Sequence, residues 1–316
     1  MTKKLFLPVG MLLALACSCF TAAPGLMIRD HIGSNLLIVA IFVVSGMQAN
    51  FSELSLDRRF FLLLAGGAVL TLRLAPLLTG EALTLLGFDP MLAAGLLVMM
   101  SAPPTLSSGI VITVTAGGSM MLALAITVIY NLLAVFTMPF LLSMLIDESV
   151  AVGGGGALRM LGKLVLLVLL PFAVGALIRR FHPKRHWLVD YVPLLATVML
   201  VWSFLGGARE CMLSIPLQTL AFTLLLCGGL HLLQLASLAG VAVLLRADPG
   251  ELKAMVFCGA SKTVSISLAM LAIIGADGGT AVLPCLGFYL LQMLIDSFLA
   301  LRVGTLGRKV KPSGCA

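Results

Sequence analysis

The chain has 316 residues, of which 60% are hydrophobic and 10% charged, and its mean hydropathy is +1.15. Soluble domains carry about 25% charged residues, so this composition excludes a globular enzyme with an anchor and indicates a polytopic membrane protein. The net charge of +7 does not point to nucleic acid, because the Lys and Arg residues sit at the ends of apolar segments.

A membrane-crossing helix needs about 20 apolar residues. In chain order the candidates are 5–25, 34–50, 60–80, 91–116, 119–145, 159–178, 187–206, 216–245, 252–275 and 280–303, which makes ten. Lys3 and Lys4 ahead of the first apolar run also suit a cleaved signal peptide, but the run counts as a first span. With the N-terminus in the cytoplasm, fourteen basic residues fall on inside segments and four outside. That bias predicts that both termini are cytoplasmic. The soft linker Val152-Gly153-Gly154-Gly155-Gly156-Ala157, within 151–157, divides the chain into a half at 1–150 and a half at 158–316. Five spans is an odd number, so the second half enters the membrane inverted. The seven cysteines lie mostly in apolar segments, without ligand spacing, and read as core residues.

The fourth span contains Ser101-Ala102-Pro103-Pro104-Thr105-Leu106-Ser107-Ser108-Gly109. Adjacent prolines cannot continue a helix, and they leave the carbonyls of Met99 and Met100 without helical partners. Such groups are tolerated at membrane depth only inside protein or beside water. A broken helix with hydroxyls near the midplane suggests a transporter site; a plain proline kink, with its hydroxyls bonded back to the helix, is the alternative. The matching stretch of the ninth span, Cys258-Gly259-Ala260-Ser261-Lys262-Thr263, has no proline. Only its equivalence to the fourth span marks it as a second break.

Ser107, Ser108, Thr127 and Asn131 supply neutral oxygens near mid-depth, which could hold a small cation such as Na+ or simply link helices. Lys262 lies near the bilayer centre, where a charge is costly and rarely decorative. It could neutralise an anion, relay protons, take the place of a cation or pair with Asp296. Thr105 and Thr263 lie at the breaks. Arg73 belongs to an anion path or snorkels toward Glu81, and His231 is a proton relay or a structural hydrogen bonder. No nucleophile–base pair, metal motif or phosphate loop occurs, so the chain is not expected to be an enzyme or to carry a cofactor.

Pro104-Thr105-Leu106-Ser107-Ser108-Gly109, Thr115-Ala116-Gly117-Gly118-Ser119 and Thr127-Val128-Ile129-Tyr130-Asn131-Leu132 resemble the fourth and fifth helices of the bile acid:sodium symporter family. Phe257-Cys258-Gly259-Ala260-Ser261-Lys262-Thr263 resembles the ninth helix of its divergent SBF-like branch, and Ile41-Phe42-Val43-Val44-Ser45-Gly46-Met47 is similar to the second helix. The resemblance covers essentially the whole chain. It implies an all-α membrane protein of ten helices in two inverted repeats of five. A core domain would hold spans 3–5 and 8–10, with helices 4 and 9 unwound and crossing, and a panel domain spans 1, 2, 6 and 7. It further implies a monomeric secondary transporter whose partners are a small organic anion and the lipid bilayer, with no nucleic acid; sodium is the leading coupling ion, and a proton-coupled or uncoupled anion transporter, or a regulatory membrane protein that keeps the fold without transport, are the alternatives. In sodium-coupled members one site takes two residues of the fourth helix, here Ser107 and Ser108, two of the fifth, here Ala123 and Thr127, and a glutamate of the ninth, here Phe257. The second site's glutamines fall at Ser261 and near Thr71. These departures, together with Lys262, predict at most one bound sodium, with the lysine as a built-in cation near an anionic substrate.

Overall fold

The computed structural model describes residues 3–48, 58–105, 108–146, 156–181, 191–276 and 279–309, without the side chains of 3–8 and 304–309. Ser107 and nearly all of the glycine linker lie outside the described residues. Among those described, every regular element is helical. Seven stretches are long and apolar enough to cross a membrane, or eight if one sharply bent pair is counted as a span.

The bent pair is the first departure from the sequence expectation. Instead of one span over 5–25, α1 (Lys3–Phe20) and α2 (Ala23–His31) meet at 111°. Pro24 sits in the first turn of α2, where a missing N–H costs nothing. The carbonyls left at the end of α1 are not orphaned: Arg209 donates to those of Ser18 at 3.0 Å, Cys19 at 3.1 Å and Phe20 at 3.3 Å. A guanidinium at a helix C-terminus is favourable both as a donor and against the helix dipole.

The chain continues through α3 (Ser34–Gln48) and then α4 (Arg58–Val69), which runs through a π-helical turn at Leu70–Leu74 into α5 (Ala75–Leu85). Next come α6 (Pro90–Ser101), α7 (Ser108–Thr115) and α8 (Met120–Leu145). The second half comprises α9 (Ala157–Leu164), a π-helical turn at Val165–Leu169, α10 (Leu170–Phe181), α11 (Val192–Ser214), α12 (Leu217–Leu244), α13 (Pro249–Ala260), α14 (Val264–Ile274) and α15 (Val282–Lys309). Two groups of neighbours stand out: α3 packs on α10 and α11, and α1 and α2 pack on α11, while α13 packs on α7, α8 and α12, and α15 on α6 and α12.

Both broken spans are built alike. Each opens with Asp-Pro: the Asp89 side chain accepts from the Leu92 N–H at 2.9 Å, and Asp248 forms a reciprocal capping box with Glu251. Each then runs twelve helical residues and stops, at Ser101 and at Ala260. The residues that leave the helix have nearly the same backbone, φ −67°, ψ 148° at Ala102 and φ −65°, ψ 147° at Ser261.

Glycine sets the closest helix approach. A Cβ placed on Gly175 of α10 would lie 1.9 Å from the Val43 carbonyl oxygen, and one on Gly46 of α3 would lie 2.0 Å from that of Phe172. Apolar helices in lipid gain contact chiefly by such small-residue approach. Gly175→Val should therefore separate α3 from α10 and cost about 3 kcal/mol or more. Gly229→Ala, at a position with nothing within 4 Å, should be neutral by comparison. Melting in detergent, followed by size-exclusion chromatography, distinguishes the two.

Candidate functional site

The two breaks meet. The Thr263 N–H donates to the Pro103 carbonyl at 3.0 Å, tying the gap between α13 and α14 to the gap between α6 and α7. Every main-chain carbonyl from Met99 to Pro104 outside Ser101 finds a donor. Met99 accepts from Ala102 N–H at 3.2 Å, Pro103 from Thr263, and Pro104 from the Asn131 amide at 3.0 Å. Met100 and Ala102 accept from Lys262.

Lys262 is fully buried. Its Nζ lies 2.7 Å from the Met100 carbonyl oxygen, 3.0 Å from that of Ala102 and 3.2 Å from that of Thr71 in the π-helical turn. Three acceptors match the three N–H groups of an ammonium, and a neutral amine has only two. Seated on the C-terminal carbonyls of α6, the cation faces the negative end of that helix. Asp296 is not its partner: His231 Nε2 lies 2.8 Å from Asp296 Oδ1, with both side chains buried. The main chain of Lys262 is held by a side chain that the sequence did not single out. Gln292 of α15 accepts from the Lys262 N–H at 2.9 Å and donates to its carbonyl at 2.7 Å. Three external hydrogen bonds thus replace the helical ones that the second break forgoes, which is how it opens without a proline.

A cleft lies where the breaks face α3 and α11. Thr105, Ser108, Thr263, Ser265 and Tyr289 line one side; Phe42, Ser45, Leu194 and Thr197 line the other. Thr105 caps α7: its hydroxyl oxygen accepts from Ser108 at 2.7 Å and from the Gly109 N–H at 2.9 Å. The N-terminal ends of α7 and α14 meet the cleft through Ser108 and Val264, and helix N-termini carry partial positive charge. Among the described residues, no charged side chain lines the cleft. Across it, the Thr197 and Ser265 hydroxyls are 3.2 Å apart.

The remaining expected residues divide into two groups. Ser261 donates to the Cys258 carbonyl at 2.9 Å and lies beside Gly109, where an added Cβ would be 2.8 Å from its hydroxyl. Thr127 donates to the Ala123 carbonyl at 2.8 Å and touches the Cys258 thiol at 3.1 Å. Asn131 spends its amide hydrogens on Pro104 and Thr127, and its Oδ1 is buried with no partner. Ser108, Thr105 and Ser261 therefore cluster around the start of α7, with Thr127 and Asn131 behind the breaks on α8.

Three residues expected near the substrate, Lys262, Arg73 and His231, do not line this cleft. Lys262 points into the carbonyl cradle of Met100, Ala102 and Thr71 and not into the cleft. Arg73 is exposed on the outside of its π-helical turn. His231 is committed to Asp296. The cleft residues missed from sequence, Thr197, Ser265 and Tyr289, carry no spacing signal; they are single hydroxyls on otherwise apolar helices.

Two helix breaks that meet inside a bundle of apolar helices are a feature of broken-helix membrane transporters. Residues 4–305 match the model of the SBF-like CPA transporter family, and the chain belongs to that family. It is also 26% identical over 180 residues to the protein PA2026 of Pseudomonas aeruginosa, covering 54% of each chain. It is 26% identical over 186 residues to YfeH of Escherichia coli K12, named as a candidate symporter, covering 54% of this chain and 53% of that one. The chain thus spans about half the length of the curated relatives it matches. Membership in a transporter family agrees with the expectation that the protein is not an enzyme.

Proposed function

We propose that the protein is a secondary transporter that carries an organic anion across the cell membrane by alternating access, with both termini cytoplasmic. The observation that carries this reading is the cleft itself. It receives two helix N-termini and a set of hydroxyls, and among the described residues it has no acidic or basic side chain on its wall. Such a lining favours a single negative charge on a partly apolar body. The seven long spans, together with the α1–α2 pair, α3 and the α6–α7 pair, make ten segments in two inverted halves. The group containing α4–α8 and α12–α15 moves as a core against a panel of α1–α3 and α9–α11. The matched Asp-Pro starts and break conformations support that repeat.

Sodium is the leading coupling ion, with at most one bound. The orphaned Asn131 Oδ1, close to Thr127 and the first break, is the oxygen best placed to take it. Sodium should raise the melting temperature of the purified protein relative to choline, and Asn131→Ala should abolish the rise while leaving the fold intact. An equal rise in wild type and variant would place the site elsewhere, and no rise in either would remove sodium coupling.

A further inference from the structure

We propose that His231 and Asp296 form a proton-binding pair within the bundle, coupled through α15 to the break at Lys262. This goes beyond the anion reading and does not depend on it. The two side chains come from α12 and α15, are 0% and 1% exposed, and meet at 2.8 Å. Phe288 lies edge-on to the imidazole with ring centroids 5.6 Å apart, closing one side of the site.

The ring's other nitrogen, Nδ1, is buried without a partner, and so are both amide atoms of Gln234. Gln234 is one turn along α12 on the same face. A buried amide with neither group satisfied, beside an unsatisfied imidazole nitrogen, is an unusual pair of vacancies, since buried polar groups are nearly always paired. The strip Gln234–His231–Asp296 can accept and pass on a proton at a depth where the rest of α12 is apolar.

The charge balance gives the strip its chemistry. With neutral imidazole and carboxylate, the pair carries one uncompensated negative charge in the interior. Taking up one proton, on Nδ1 or on the carboxyl oxygen, makes it neutral overall; releasing that proton to water restores the charge. One proton is bound or released, and no other bond changes.

Among the described residues, the elements packed most closely against α12 bring no second counter-ion. On α13, Glu251 is bonded to Arg59, and the Cys258 thiol is bonded to Thr127 and the Ala123 carbonyl. Lys253 lies beside Gly117 and Gly118 at the far end. Of α4 and its π-helical turn, Arg59 is engaged by Asp248 and Glu251, Arg58 stands at the helix start and Arg73 is exposed. On α12 itself Cys227 donates to the Pro284 carbonyl, and on α15 Cys285 donates to that of Gly95 while Tyr289 meets Ser108. Arg302, toward the C-terminal end of α15, lies over Phe298. Lys262 at this level turns its ammonium to the carbonyls of α6.

The link to the break is short. Asp296 is one turn from Gln292 on α15, and Gln292 holds both main-chain groups of Lys262. A change of charge at Asp296 is thus felt one turn from the side chain that holds both main-chain groups of Lys262 at a proline-free break.

Acid-minus-alkaline infrared difference spectra of the full-length protein in lipid nanodiscs test the assignment directly. The expected result is a carboxyl and imidazole signal for one proton per molecule, lost in Asp296→Asn and shifted in His231→Gln. Difference spectra of both variants that superimpose on wild type would overturn it. Should neither variant remain monodisperse, ring-labelled histidine spectra of the wild type give the same decision. One solvent-shielded histidine must change hydrogen bonding between the two buffers, and its constancy would overturn the proposal.

Discussion

Lys262→Ala should produce the largest loss of stability of any single substitution at the breaks. Removing the ammonium leaves the carbonyls of Met100, Ala102 and Thr71 without a donor. An unsatisfied buried acceptor costs about 1–3 kcal/mol, more when the lost donor was charged. Against that, the variant no longer desolvates an ammonium, which offsets several kcal/mol. The carbonyls win because the prolines at 103 and 104 prevent the helix from closing over them. A net loss of roughly 3 kcal/mol is expected. The same three oxygens would then accept a free monovalent cation, so the loss should shrink as sodium or potassium is added. In wild type this cannot happen, since two unit charges 4 Å apart repel by about 4 kcal/mol near a protein surface. Lys262→Gln keeps a neutral donor and should fall between the two. A Lys262→Ala protein as stable as wild type in cation-free buffer would contradict the cradle.

Gln292→Leu is expected to have the second largest effect, through the backbone. The side chains are similar in volume, so packing is nearly conserved, but the Lys262 N–H and C=O lose their partners. Two orphaned groups cost roughly 2–5 kcal/mol if the break stays open. The chain has an alternative here that the first break lacks, because nothing at 261–263 prevents helix closure. Residues 258–266 should therefore rewind, and their amide hydrogens should exchange more slowly than in wild type, while 99–105 remain unchanged. Unaltered exchange in both segments, with an unaltered melting temperature, would show that Gln292 does not hold the break.

The contrast between the two breaks also explains what could be read from the chain. Pro103-Pro104 disrupts a helix by local chemistry, and its position was legible at once. Ser261-Lys262-Thr263 is ordinary helical sequence, and only its equivalence to the first break gave it away. The Asp-Pro pairs at 89–90 and 248–249, each followed by a twelve-residue helix, mark that equivalence more strongly than the spacing the sequence reading relies on. The importance of Lys262 followed from its depth, but its direction did not, because whether it faced a carboxylate, the cleft or a helix end depended on tertiary contacts. Asp296 illustrates the same limit: it was one of several alternatives for Lys262, and it is held by His231, one turn from a glutamine that gave no signal. The bend after Phe20 was hidden because the residue that makes it tolerable, Arg209, is far away in sequence.

The most direct test of the anion cleft is ligand-induced stabilisation of the protein in nanodiscs. Shape-matched organic carboxylates or sulfonates, neutral amides and amines would be compared on wild type and on Thr197→Trp, which fills the cleft from α11. The expected result is a concentration-dependent rise in melting temperature with anions alone, lost in Thr197→Trp. A rise of equal size with the neutral or cationic analogues, or one with anions that survives in Thr197→Trp, would contradict it.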